Sequence, residues 1–395
     1  MLKALREAAG GGPPPRRARA LRALGELGDP WAARVVMASL KADDADVFAE
    51  AARAAVRLGV SGAVAELAAR LASGPHAAAA ARALALAGPA AAEDLIALLP
   101  TTRGEPGLAP TAFASGGRSI AGTVRAARAL AGLGPAACER VLGRYRQLGY
   151  RARTAVCRAL AAVPAKTRRA LEPAPVLEAM EFTVAYAEGL VRARAGARPG
   201  GLLAGELAHR VDETAARLLD LASLVGEHAL IARARAALDG PDRDRANALE
   251  LLEQLLPRGL RRRTLALLEP TSSGPGGAPP RLDGWLEQCA AFDALDPTAL
   301  GSADVMFSVL ERVLALRNSP LFLGLAGEEL YPVAELASAE AYAPGDVVVN
   351  EGDPGDALYV VAEGTFEVRR AGRALRALGP GDVFGEMSLL DGAPR

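Results

Sequence analysis

Five residues near the C-terminus carry the groups that a phosphorylated sugar needs. They lie in the run Gly379 to Arg395, GPGDVFGEMSLLDGAPR. Gly385, like Gly381 just before it, lets the backbone turn tightly and approach a ligand closely. The stretch Gly385-Glu386-Met387-Ser388-Leu389-Leu390 predicts one helical turn, whose first N–H groups are free to meet an anion. Glu386 offers an acceptor for a ribose hydroxyl, and Arg395 a planar fork of donors for a phosphate. Ser388 sits in no G-x-S-x-G context, which argues against a nucleophile.

The order Phe384-Gly385-Glu386, Met387-Ser388, Leu389-Leu390, Asp391-Gly392-Ala393, Pro394-Arg395 resembles the phosphate-binding cassette of cyclic nucleotide-binding domains. The resemblance runs from about Asn318 to Arg395. It implies that Glu386 accepts from the ribose 2′-hydroxyl and that Arg395 pairs with the cyclic phosphate. It also implies that backbone N–H groups of Gly385, Met387 and Ser388 meet the phosphate and sugar. The implied ligand is a cyclic nucleotide, cAMP ahead of cGMP. No metal and no other cofactor is expected. The family's residue after the arginine, its closing strands and its C-terminal helix are not among the 395 residues. The expectation is therefore a C-terminally incomplete domain in a fragment of a longer protein.

A site of this kind has to be held by short strands and tight turns. Val347–Val349, Leu358–Val361, Thr365–Val368 and Ala374–Leu378 read as strands. Turn signals separate them: Pro344-Gly345-Asp346, Gly352-Asp353-Pro354-Gly355-Asp356, Glu363-Gly364, Ala371-Gly372 and Gly379-Pro380-Gly381-Asp382. Strands at about ten-residue spacing predict a β-roll or jelly roll. Helices over 282–290 and 304–316, then Pro320 to Ala337, lead into it.

Upstream the pattern is helical and repetitive. Stops fall at Leu27-Gly28-Asp29-Pro30, Leu58-Gly59, Ala87-Gly88-Pro89, Leu133-Gly134-Pro135, Val163-Pro164, Gly226 and Pro257. A period near 30 residues predicts stacked helix pairs. The insert Thr101 to Ser119 is a Gly/Pro/Ser loop. Asp29 before Pro30 is an expected N-cap, and the acidic run Asp43-Asp44-Ala45-Asp46 an expected helix start. The pattern resembles HEAT repeats and their close relatives, which implies an extended protein-binding surface. PTSSGPGGAPP, Pro270 to Pro280, reads as a flexible joint. The expected organisation is a multidomain α + β chain: an all-α solenoid over 1–270, a linker over 271–281, connecting helices over 282–317, and the nucleotide domain over 318–395.

Composition fits this plan. The chain is 51% hydrophobic but only 4% aromatic, so close-packed Ala/Leu helices suit it better than sandwiches. Formal net charge is zero, which gives no electrostatic case for nucleic acid. The arginine groups Arg16-Arg17-Ala18-Arg19 and Arg261-Arg262-Arg263 are interleaved with helical apolar residues and read as solvated faces. Cys138, Cys157 and Cys289 read as buried free thiols, and His76, His209 and His228 lack metal-ligand spacing. No stretch approaches the roughly 20 apolar residues of a membrane span. The expectation is a cytoplasmic, non-catalytic bacterial signalling protein that couples a cyclic nucleotide to an unidentified protein partner. Alternatives are a pure scaffold whose β-module binds nothing, and, last, a HEAT-like chromophore lyase.

Overall fold

The computed structural model describes residues 1–73, 75–101, 120–269, 284–294, 309–322, 325, 327–355, 357–370, 372–387 and 394. The chain is mostly helical, with a small C-terminal part that contains strands. Contacts divide it into two units, residues 1–192 with 210–280, and residues 193–209 with 281–395.

In chain order the first helices are α1 (Leu2–Gly10), α2 (Pro14–Leu27), α3 (Ala33–Ser39), α4 (Ala45–Arg57), α5 (Ala63–Ser73), α6 (Ala77–Ala87) and α7 (Ala92–Ala97). Then come α8 (Ile120–Gly132), α9 (Pro135–Gly143), α10 (Tyr150–Ala161), α11 (Ala165–Arg169), α12 (Pro173–Ala195) and α13 (Leu202–Val225). The rest are α14 (His228–Leu238), α15 (Asp242–Leu255), α16 (Arg261–Leu268), α17 (Gly284–Asp293), α18 (Val309–Arg317) and α19 (Gly327–Leu336).

The expected stops end helices for the expected reasons. Gly28 closes α2 in the left-handed region (φ 68°), and its N–H returns to the carbonyl of Leu24. The Asp29 side chain accepts from the Trp31 N–H and starts the 3-10 turn Pro30–Ala32. Asp44 caps α4, accepting from Asp46 and Val47. Within the first unit α2 packs on α4, α4 on α6, α5 on α6 and α8, and α8 on α10. Small residues set the approach: a Cβ at Gly25 of α2 would lie 2.9 Å from the Ala54 Cα of α4. The core is alanine and leucine, with Leu21, Leu24, Leu67, Leu84 and Leu95 fully buried.

The later helices depart from a 30-residue beat. α12 has 23 residues and α13 has 24, because no Gly-Pro stop interrupts either. Leu218, Leu221 and Leu224 of α13 are buried, each three residues from the next along one helix face.

In the second unit α18 packs on α19. The strands are β1 (Tyr359–Val360), β2 (Phe366–Arg370), β3 (Arg373–Leu378) and β4 (Val383–Phe384). They form two antiparallel pairs, β1 with β4 and β2 with β3. Three of the four expected strands are present, shortened or shifted by a few residues. Val347–Val349 is not a strand. It is squeezed between two turns three residues apart, it pairs with no strand among the described residues, and Val347 is 68% exposed. The expected helix over 304–316 is described from Val309 on, and the joint Pro270 to Pro280 lies outside the described residues.

Candidate functional site

The turns that shape the C-terminal part share one device. In Ala343-Pro344-Gly345-Asp346 the Asp346 carboxylate accepts from the Ala343 N–H at 2.8 Å, while the Asp346 N–H donates to the Ala343 carbonyl at 3.0 Å. Gly379-Pro380-Gly381-Asp382 repeats both bonds at 2.8 and 3.0 Å. Asn350-Glu351-Gly352-Asp353 repeats them at 3.0 and 3.2 Å. The glycines at third position have φ of 95°, 89° and 93°, a region that glycine enters without strain. Proline at second position presets the turn in two of the three cases.

The turn at Gly381 leads directly into the site. Its N–H donates to the Val361 carbonyl at 2.8 Å, and the Val361 N–H donates to the Asp382 carbonyl at 2.9 Å. β4 then pairs Val383 with Val360 and Phe384 with Tyr359. The Phe384 and Tyr359 rings stack at 4.8 Å between centroids, 7° from parallel. Phe366 lies 6.3 Å from Phe384, and Tyr342 meets Phe366 edge-on at 6.2 Å. Such aromatic packing fixes Phe384, the first residue of the cassette.

Gly385 follows with φ 86°, so the chain reverses there, and Glu386 and Met387 take helical conformation. This is the start of the turn expected from sequence. Glu386 is half-buried and Met387 is 61% exposed. Ser388 and Arg395 lie outside the described residues, as do Leu389 to Ala393. The site is thus described on its glycine and carboxylate side. A positive-φ glycine opening a helical turn directs its first N–H groups toward one point, the arrangement that meets an anion.

A polar core in the first unit gave no signal in the sequence. Arg153, Arg210 and Arg217 are all buried. The Arg153 guanidinium lies 5.1 Å from the Phe182 ring centre and 4.8 Å from that of Tyr186. Those of Arg210 and Arg217 each lie 4.4 Å from the ring of Tyr150. Tyr150 donates to Glu213 at 2.5 Å, and Arg217 donates to the Tyr150 carbonyl at 3.3 Å and to the Thr214 hydroxyl. Arginine normally reads as a surface residue; stacking on aromatic faces, with hydrogen bonds such as those of Arg217, makes this burial tolerable. Burial pushes the Cys157 thiol beside this cluster up to about 12, and elsewhere in the core the Cys138 thiol up to about 11. Both thiols are protonated at neutral pH, a setting for packing and not for nucleophilic chemistry.

A cavity of about 460 Å³ opens between α10, α13 and α14, with Arg158, Asp220, His228 and Arg235 among its lining residues. Asp220 is bonded to Arg235, and burial raises its pKa. Among the described residues no group of three His, Cys, Asp or Glu side chains is placed to hold a metal.

Comparison with known proteins addresses the C-terminal part. Residues 339–395 match the cyclic nucleotide-binding domain family and form such a domain. The chain is 42% identical over 85 residues to the cyclic AMP receptor protein of Thermus thermophilus, covering 20% of this chain and 39% of that protein. It is 37% identical over 82 residues to a cAMP-dependent protein kinase regulatory subunit of Pyricularia oryzae, covering 20% of this chain and 21% of that one. It is 46% identical over 56 residues to a cGMP-dependent protein kinase of Toxoplasma gondii, covering 14% and 6%. The chain therefore spans well under half the length of each of these relatives.

Proposed function

We propose that the protein is a non-catalytic regulator that binds a cyclic nucleotide at its C-terminal domain and presents its helical part to a protein partner. The carrying observation is the placement of Gly385 and Glu386. A reversal at φ 86° follows a ring-anchored strand, and a half-buried carboxylate opens a helical turn. In this reading Glu386 accepts from the ribose 2′-hydroxyl. Backbone N–H groups of Gly385, Met387 and Ser388 meet the sugar and phosphate, and Arg395 pairs with the phosphate. A cyclic phosphodiester carries one negative charge and has a rigid ring, so one guanidinium and a few amides satisfy it. Hydrogen bonds to such a charge contribute roughly 1.5–3 kcal/mol each.

cAMP is the proposed ligand ahead of cGMP; the Thermus relative is named for cyclic AMP. The strand pairs are read as the wall of a β-roll. The layered contacts of α2, α4, α6, α8 and α10 support a HEAT-like stack that docks a protein. Ligand binding would order the cassette and shift the population of conformations in the second unit. We place the protein in the cytoplasm. Among the described residues no helix is long and apolar enough to cross a membrane. Titration calorimetry of the chain with cAMP and cGMP tests the proposal: saturable heat with cAMP supports it, and no heat at millimolar nucleotide removes the sensing role.

A further inference from the structure

Within the second unit, the start of α13 is gripped by the helices that precede the nucleotide domain. Asp293, the last residue of α17, accepts from the N–H groups of Leu202 at 2.8 Å and Leu203 at 2.9 Å. It caps α13 from far along the chain. A Cβ at Gly201 would lie 2.4 Å from that carboxylate, which would have to shift to admit a side chain there. One turn on, Arg317 at the end of α18 donates to the Gly205 carbonyl at 2.6 Å and meets Glu206 at 3.5 Å. Glu206 also accepts at 3.2 Å from the N–H of Gly327, the first residue of α19.

Glu206 is completely buried, and its Oε1 has no hydrogen-bond partner among the described residues. A half-satisfied buried carboxylate costs stability, and such costs persist where position matters more. What it positions lies next door. Arg317 precedes Asn318, and the Asn318 carbonyl sits against Gly381, 2.7 Å from where a Cβ would stand. Gly381 is the turn residue that delivers β4, Phe384 and Glu386.

We propose that Glu206 is a positioning residue for the nucleotide site. Through Arg317 and the Gly327 N–H it holds α18 and α19, so that Asn318 backs the Gly381 turn and keeps the cassette entrance in place. This rests on the cyclic nucleotide reading above. Pre-organisation of this kind raises affinity by lowering the ordering cost of binding.

The test compares wild type, Glu206→Gln and Arg317→Lys in the full 395-residue chain. It reads cAMP affinity by calorimetry and amide exchange at residues 379–386. Gln keeps the acceptor for Gly327 and loses the charge facing Arg317; Lys keeps the charge and loses the fork that reaches Gly205. Expected are a fall in cAMP affinity of about fivefold in each variant and faster exchange of the Gly381 amide. A purely structural role would lower the thermal midpoint and leave affinity and the 379–386 amides unchanged. That pattern, with residues 202–209 exchanging faster, overturns the proposal. Should wild type take up neither nucleotide, the ligand reading fails by itself, and exchange at 379–386 still decides whether Glu206 holds the turn. Should Glu206→Gln not fold, Arg317→Lys decides by the same two readouts.

Discussion

At the scale of single residues, conformation and contact separate glycines that look alike in the sequence. Gly345 and Gly381 both occupy the third position of a Pro-Gly-Asp turn at positive φ. A Cβ at Gly345 meets nothing within 4 Å, whereas one at Gly381 meets the Asn318 carbonyl at 2.7 Å. Gly345→Ala is therefore expected to cost only the left-handed penalty, about 1–2 kcal/mol. Gly381→Ala adds a backbone clash and should cost about 2–4 kcal/mol. Amide exchange of β1 and β4 checks the difference; equal effects would contradict it. Glu386→Gln tests the proposed site itself: it keeps the shape, removes the charge proposed to accept from a sugar hydroxyl, and is expected to weaken cAMP binding by about 1.5–3 kcal/mol. The turns were legible because Pro, Gly and Asp each have one job at one position. The buried Arg153, Arg210 and Arg217 were not, because a guanidinium reads as solvent-facing until aromatic rings are known to cover it. The pairing of Glu206 with Arg317 was equally hidden: neither residue carries a local signal, and they are 111 residues apart.

At the scale of elements, helix ends were readable and helix partners were not. Gly28, Gly59 and Gly88 mark ends through positive φ, and Asp44 marks a beginning through its cap. The greater lengths of α12 and α13 follow from the absence of a Gly-Pro stop within them; the single glycines Gly189 and Gly205 are carried inside the helices. β4 escaped because two residues carry no periodicity, and it exists only by pairing with β1. One element pair makes a pH prediction. Arg263 on α16 donates from Nε and Nη2 to the two oxygens of Glu188 on α12, at 2.7 and 2.8 Å. The Arg263 hydrogen bond lowers the Glu188 pKa from its ordinary value, against a smaller opposing effect of burial. A depressed folded pKa means that the pair stabilises the fold above the ordinary carboxylate range, and that this stability is lost as pH falls through the folded value. The pair is partly exposed, so its contribution is about 1 kcal/mol or less. The stability difference between wild type and Glu188→Gln, measured by denaturant unfolding, should be flat from about pH 7 to 5.5 and shrink below about 4.5. A difference that grows toward acid would contradict the pairing.

At the scale of the whole molecule, the mostly helical character and the C-terminal nucleotide domain were legible, and the grouping of residues 193–209 with the C-terminal residues was not. Regular Gly and Pro stops announce successive helices and the F-G-E to P-R order announces the nucleotide domain, but nothing local announces that a stretch of helix belongs with a partner far along the chain. The account stands on the claim that this C-terminal domain holds a cyclic nucleotide through Glu386 and Arg395. Titration calorimetry of wild type, Glu386→Ala and Arg395→Ala with cAMP tests it most directly. Expected is saturable one-to-one binding by wild type, weakened by about 2–5 kcal/mol when either side chain is removed. A wild-type chain that gives no heat at millimolar cAMP or cGMP, or binding that survives both substitutions unchanged, would contradict it.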